Sequence, residues 1–310
     1  MPAATHTRSI VLLLLTMTVW GSTFVVTKEL IELWPPFTLA FVRVAIGTLV
    51  LLPLALSRHR REARLPWTTI LFMGLIGVAF YYMAFNFAML YTSASQGALV
   101  QSSIPAITAL VAVVWLRERA STLRWLGIAL SVVGVMIVFS GDSIGASSSA
   151  LLGNVLMFAS VVCWGFYTSL AKRVAGYDAI VITVCVTGAG SLMLLPLSVY
   201  EIATVSLQPL SIMGWVGVLY LGGIASGLAY LLYNASLRYL DASEVGVYTN
   251  LIPVVGVLAG VIVLGEPLSP RAIVGGVVVM LGVWITSRSE RQTAEPHPGA
   301  AQEPAQQERG

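Results

Sequence analysis

The sequence predicts an all-α membrane protein, with ten transmembrane helices forming two inverted five-helix repeats and both termini cytoplasmic. Three observations predict it. Apolar residues fill 57% of the 310 positions and charged residues only 10%, with a mean hydropathy of +0.86. The basic residues collect in alternate loops. The chain also matches itself when displaced by 148 residues.

A soluble domain of this length carries about 25% charged residues. The charge present cannot cover the surface of one large globule, whereas a lipid-facing surface needs none. The net charge of +3 is too small to favour a nucleic-acid partner. Cys163 and Cys185 lie in apolar stretches with no CxxC and no nearby His. They read as small buried residues, and no metal or cofactor is expected.

A hydrocarbon core of about 30 Å takes about 20 apolar residues of helix. Charge clusters and turn residues divide the chain into spans at 9–27, 37–57, 69–91, 94–116 and 123–140, then 152–171, 180–200, 213–236, 244–264 and 271–287. The runs are continuous rather than alternating in polarity, which selects helices over strands. The run Ile10 to Trp20 after Arg8 is long enough for a signal peptide. Further spans follow at once, and the run has a counterpart later, so it reads as the first span. With a cytoplasmic N-terminus, 14 of the 17 Lys and Arg fall inside and only Lys28 and Arg271 outside, Arg43 lying within a span. The positive-inside rule therefore places both termini in the cytoplasm of a multi-pass cell-membrane protein. Residues 289–310, rich in Ala, Pro, Gln and Glu, read as a disordered tail.

The displacement by 148 pairs Trp67 with Trp215, Tyr82 with Tyr230, Asn86 with Asn234 and Tyr91 with Tyr239. It also pairs Ala94-Ser95 with Ala242-Ser243, Pro105 with Pro253, Glu118 with Glu266, Gly127 with Gly275 and Gly134 with Gly282. Nearer the N-terminus a displacement of 144 pairs Trp20-Gly21 with Trp164-Gly165. Residues 1–145 and 150–288 form the two repeats. Five spans per unit is odd, so the second copy enters the membrane from the opposite side. Inverted repeats of this kind are a transporter architecture, with the substrate near the midplane between halves.

These residues carry a family likeness. Trp20-Gly-Ser-Thr-Phe24 and Trp164-Gly-Phe-Tyr-Thr168, Pro35-Pro36 before a span containing Arg43, and the paired Ala-Ser and Glu positions resemble the EamA family of the drug/metabolite transporter superfamily, over roughly residues 9–288. The resemblance implies a ten-helix inner-membrane carrier, usually an exporter of amino acids or related metabolites. The first span has no Glu, whereas related small multidrug resistance proteins couple protons through one there. The resemblance therefore gives no support to that form of proton antiport.

Polar groups inside hydrocarbon need partners or a wet cavity. Tyr82 with Asn86, and Tyr230 with Asn234, sit four residues apart on one helix face. They suit a cavity that hydrogen-bonds a solute, or else bonds between helices. Pro105 and Pro253 free the carbonyls of Gln101 and Thr249, beside Ser102 and Asn250. Matched kinks in polar stretches point to a substrate site; the alternative is a kink tolerated by packing. Trp20, Trp164 and Tyr167 are candidates to line the cavity or to anchor at the interface. The substrate-binding candidates are thus Trp20, Tyr82, Asn86, Gln101, Trp164, Tyr167, Tyr230, Asn234, Thr249 and Asn250. Arg43 reads as snorkelling or paired with Glu29 or Glu32 rather than as an anion site. Glu118 and Glu266 read as structural, with Ser121 and Ser269 capping the following helices. Glu244 is a minor candidate for cation coupling. The glycines at 127, 134, 275 and 282 read as close helix contacts within the bundle, and secondarily as a homodimer face.

The expected partners are the lipid bilayer and a small-molecule solute, and the expected role is a secondary transporter of an amino acid or related metabolite. A multidrug exporter is the alternative within transporters. A channel is less favoured, because the polar positions cluster at mid-span instead of forming sustained rings. An enzyme is not expected: His6, His59 and His297 lie outside the spans, and no GxSxG, HExxH or P-loop pattern occurs.

Overall fold

The structure, a computed structural model, describes residues 3–59, 65–115, 117, 120–140, 148–236 and 248–294. Among these residues it is all-helical, and nine helices are long and apolar enough to cross a membrane. In chain order the helices are α1 (Ala3–Ile31), α2 (Pro36–His59), α3 (Trp67–Tyr91), α4 (Ala94–Val114), α5 (Thr122–Ser140), α6 (Ser148–Ala171), α7 (Ala179–Thr204), α8 (Ile212–Ser236), α9 (Leu251–Leu264) and α10 (Pro270–Ala294). Helix α9 is the short one at 14 residues, about 21 Å of rise. The expected span began at 244, and its first residues lie outside those described. So do Glu118, Tyr239, Ala242, Ser243 and Glu244. Helix α10 runs on to Ala294, past the expected start of the tail. No Gly or Pro interrupts residues 283–295, and Pro296 follows. The rest of the expected tail is outside the described residues.

Side-chain caps set several helix starts, as the Ser, Asp and Pro positions dictate. Ser93 accepts from Gln96 N at 3.1 Å to open α4, and Asp178 accepts from Ile180 N at 2.9 Å to open α7. Ser121 and Ser269 cap α5 and α10 through Arg124 N (3.2 Å) and Ala272 N (3.1 Å). Gly265, with φ of +64°, takes the left-handed conformation that ends α9.

The packing pairs α5 with α10, α2 with α7, and α4 with α9. Helix α1 packs on α8 and α9, as α6 packs on α3 and α4. Adding or subtracting five from the helix numbers maps these contacts onto one another. Glycines let α5 and α10 approach to backbone contact. A Cβ on Gly134 would stand 2.5 Å from Val279 N, and one on Gly282 2.5 Å from Ser131 N.

Two helices carry π-helical segments, Leu75–Phe80 in α3 and Tyr220–Leu228 in α8. Their last residues are 148 apart, the displacement that aligns the two halves of the sequence. Helix α4 is interrupted by a turn at Ser102-Ser103, and a turn at Asn250 precedes α9. Both breaks lie just before Pro105 and Pro253, where the missing amide hydrogens forbid a continuous ladder.

Candidate functional site

Seven helices converge on a central cavity. Its wall is Trp20, Thr23 and Phe24 from α1, Arg43 from α2, Tyr81, Tyr82 and Phe85 from α3, Gln101 and Ile104 from α4, Trp164 from α6, Tyr230 from α8, and Thr249 with Ile252 at the start of α9. Both halves of the chain contribute. Helices α5 and α10 stay outside, paired with each other.

Aromatic rings make most of this wall. Trp20 meets Trp164 edge-on at 5.2 Å, and Trp164 lies 5.3 Å from Tyr81 and 5.6 Å from Tyr230. Tyr81 stacks on Phe85 at 5.9 Å with 13° between planes. Edge-on and offset pairs are the favoured geometries for such rings. The Trp20 indole N–H donates at 3.1 Å to the O of Ala225, within the π segment of α8. This bond fixes the ring at the cavity wall. The free volume within the rings is about 30 Å³, against about 300–1,000 Å³ for a typical small-molecule site. In this conformation the side chains fill the site themselves.

Among the described residues one formal charge faces the cavity. Arg43 is 2% exposed, with its guanidinium carbon 4.5 Å from the centre of the Tyr82 ring. Its Nε donates to Ser226 Oγ at 3.2 Å and its Nη1 to Thr27 Oγ1 at 3.4 Å. The expected ion pair with Glu29 or Glu32 is not formed. No carboxylate lies within ion-pair distance of Arg43 among the described residues, and none lines the cavity. The acids near the starts of α2 and α4 are engaged with backbone instead. Glu201 accepts from Thr38 N at 2.7 Å, and Glu266 accepts from Ala94 N and Ser95 N at 2.7 and 2.8 Å, so each caps the positive end of a helix dipole.

This fold has known counterparts. The sequence pattern of the EamA-like transporter family matches residues 7–140 and again 151–288. The chain belongs to the EamA-like transporter family. An uncharacterized transporter of Archaeoglobus fulgidus is 29% identical over 280 residues, which are 90% of this chain and 98% of that one. A protein of Salmonella typhimurium named a probable amino-acid metabolite efflux pump is 27% identical over 286 residues, covering 88% of this chain and 93% of its own. A solved crystal structure superposes with a TM-score of 0.67 at 19% identity, over 94% of this chain and 99% of that one. That last likeness concerns the fold alone. The EamA chain is a multi-pass membrane transporter.

Of the ten candidate residues, six stand on the wall of the EamA cavity: Trp20, Tyr82, Gln101, Trp164, Tyr230 and Thr249. The other four are set back from it. Asn86 is fully buried and donates from Nδ2 to Pro36 O at 2.9 Å. Asn234 donates to Tyr167 Oη at 3.1 Å and to Thr183 Oγ1 at 2.9 Å, tying α8 to α6 and α7. Tyr167 stacks behind Trp164 at 4.8 Å. Asn250 occupies the turn before α9, with an Oδ1 unpartnered among the described residues. A four-residue spacing puts Asn86 on the same side as Tyr82 but one turn deeper, against the start of α2.

Reading the sequence alone missed Tyr81, Phe85, Thr23 and the cavity-facing role of Arg43. Tyr81 aligns with Ala229 in the second half, so the internal match carried no signal for it. Arg43 was visible as a charge within a span. Its lack of a carboxylate partner was not.

Proposed function

We propose that this protein is a secondary transporter that exports a small organic metabolite, an amino acid or related compound, across the cytoplasmic membrane. The supporting observation is the cavity built jointly by α1–α4 and by α6, α8 and α9. A site shared between halves of opposite orientation opens to one side or the other as the halves rock. The filled state described here is then one between the two open ones. The matched π segments and broken helices support two inverted repeats, and the basic residues in alternate loops support cytoplasmic termini. The name of the Salmonella relative supports amino-acid metabolites as the cargo and export as the direction.

Counterflow in proteoliposomes tests the carrier reading. Labelled amino acid uptake is expected to saturate with concentration and to accelerate when unlabelled solute is loaded inside. Flux that rises linearly with concentration and shows no acceleration would leave a channel as the better description.

A further inference from the structure

We propose that Arg43 is the anion-recognition point of the cavity, and that the solute it selects carries a carboxylate on a flat, apolar body. This rests on the transporter reading above and names the substrate class of the same site. A guanidinium has five N–H donors in a planar fork. Here two of them reach neutral hydroxyls, at 3.2 and 3.4 Å, and the group lies over the Tyr82 ring. A cation 2% exposed and without a counter-charge among the described residues is costly, because burial removes its water and nothing ionic there replaces it. The cost is recovered when an anion enters, and a carboxylate matches the fork with two parallel hydrogen bonds.

The rest of the wall defines the body of the solute. Trp20, Trp164, Tyr81 and Phe85 present ring faces and edges at 5–6 Å from one another, a surface for flat apolar groups. The Tyr230 hydroxyl is buried without a partner of good hydrogen-bond geometry, so it is placed to serve a polar atom of the solute. Among the described residues nothing in the wall supplies a negative charge. An organic cation would therefore lose its hydration with Arg43 repelling it, so the multidrug alternative with cationic cargo is the one this site disfavours. The charge is also one-sided. Helix α7, the counterpart of α2, contains no Lys or Arg, so an anionic solute is held in a single orientation against the first half of the chain.

Titration of purified protein with three probes of the same shape tests this: 3-phenylpropionate, its neutral amide, and phenethylamine. The acid is expected to bind roughly tenfold or more tightly than the amide, as for hydrogen bonds to a charged group, and the amine more weakly than either. Phenylalanine carries the same carboxylate with an added ammonium. Affinity equal to that of the acid assigns the carboxylate to amino acids, and weaker binding assigns it to simple organic acids. Arg43→Gln is expected to erase the preference for acid over amide, and Arg43→Lys to retain part of it. Amide or amine binding as tight as the acid in the unaltered protein would overturn the proposal, as would a folded Arg43→Gln that keeps the preference. The comparison of acid with amide needs no variant, so a misfolded Arg43→Gln leaves the test intact. The two readings fail differently. Acid selectivity without saturable counterflow sinks the carrier but not the anion site, whereas counterflow of the amine alone sinks the anion site and spares the carrier.

Discussion

Trp20 and Asn234 were both candidates from the sequence, yet their surroundings assign them different work. Trp20 has its ring on the cavity wall, and its N–H closes a carbonyl of the α8 π segment. Asn234 exchanges hydrogen bonds with Tyr167 and Thr183 behind that wall. Trp20→Ala is expected to weaken solute binding by about tenfold or more, because a large aromatic contact is lost from the centre of the site. Asn234→Ala is expected to lower stability by about 0.6–1.7 kcal/mol, the range for hydrogen bonds between membrane helices, with affinity within about threefold of the parent. Binding titrations and thermal unfolding on the same samples separate the two. Affinity that falls more for Asn234→Ala than for Trp20→Ala would place the solute on the asparagine side of the wall. The internal match paired Tyr82 with Tyr230, both on the cavity wall, and equally Asn86 with Asn234, both set back from it. Reading from sequence stopped where partners come from distant helices: nothing in the span around Glu201 indicates that it caps α2 through Thr38.

At the scale of elements, helix existence followed from hydropathy, because a membrane core of fixed thickness leaves little choice of length. Local irregularity did not follow. The π segments of α3 and α8 consist mostly of apolar and glycine residues, with Tyr220 and Ser226 in the second, and they pack against α6 and α7, and against α2. Gly47, for example, faces Ser226, Gly227 and Gly222 O so closely that a Cβ would sit 2.7–2.9 Å from their backbone. The glycines of α5 and α10 were legible as smooth faces, and the structure spends them on each other. Gly134→Leu or Gly282→Leu drives a side chain into the backbone of the facing helix, which rotamer changes cannot relieve. Each is expected to destabilise by about 1–3 kcal/mol or more and to reduce the monodisperse yield on size exclusion. Gly223→Ala has open space around it and serves as the control. Equal tolerance at all three positions would mean that the α5–α10 contact is looser than described.

For the whole molecule, the proposed five spans per half make the orientation of every loop depend on one choice, so a wrong choice inverts all of them together. The proposed orientation puts the end of α2 in the cytoplasm and the α7–α8 connection outside. Ser57 and Ser206 are exposed at those two places, and Cys163 and Cys185 are the only native thiols. With both thiols replaced by Ala, Ser206→Cys is expected to react with a membrane-impermeant maleimide on intact cells. Ser57→Cys is expected to react only after permeabilisation. The reverse pattern would invert the molecule and turn the proposed exporter's inner face outward. Equal labelling of both positions in intact cells would contradict a single orientation. The outer end, in this assignment, is the one held by charged caps: Lys28 donates to Met89 O and Thr92 O at 2.7 and 3.0 Å, and Glu266 closes the start of α4. The same labelling, repeated with 3-phenylpropionate bound, therefore reports on that end directly. A rocking carrier changes the reactivity of a cysteine placed at Gln96, beside the Glu266 cap, when the solute binds. A static pore leaves it unchanged.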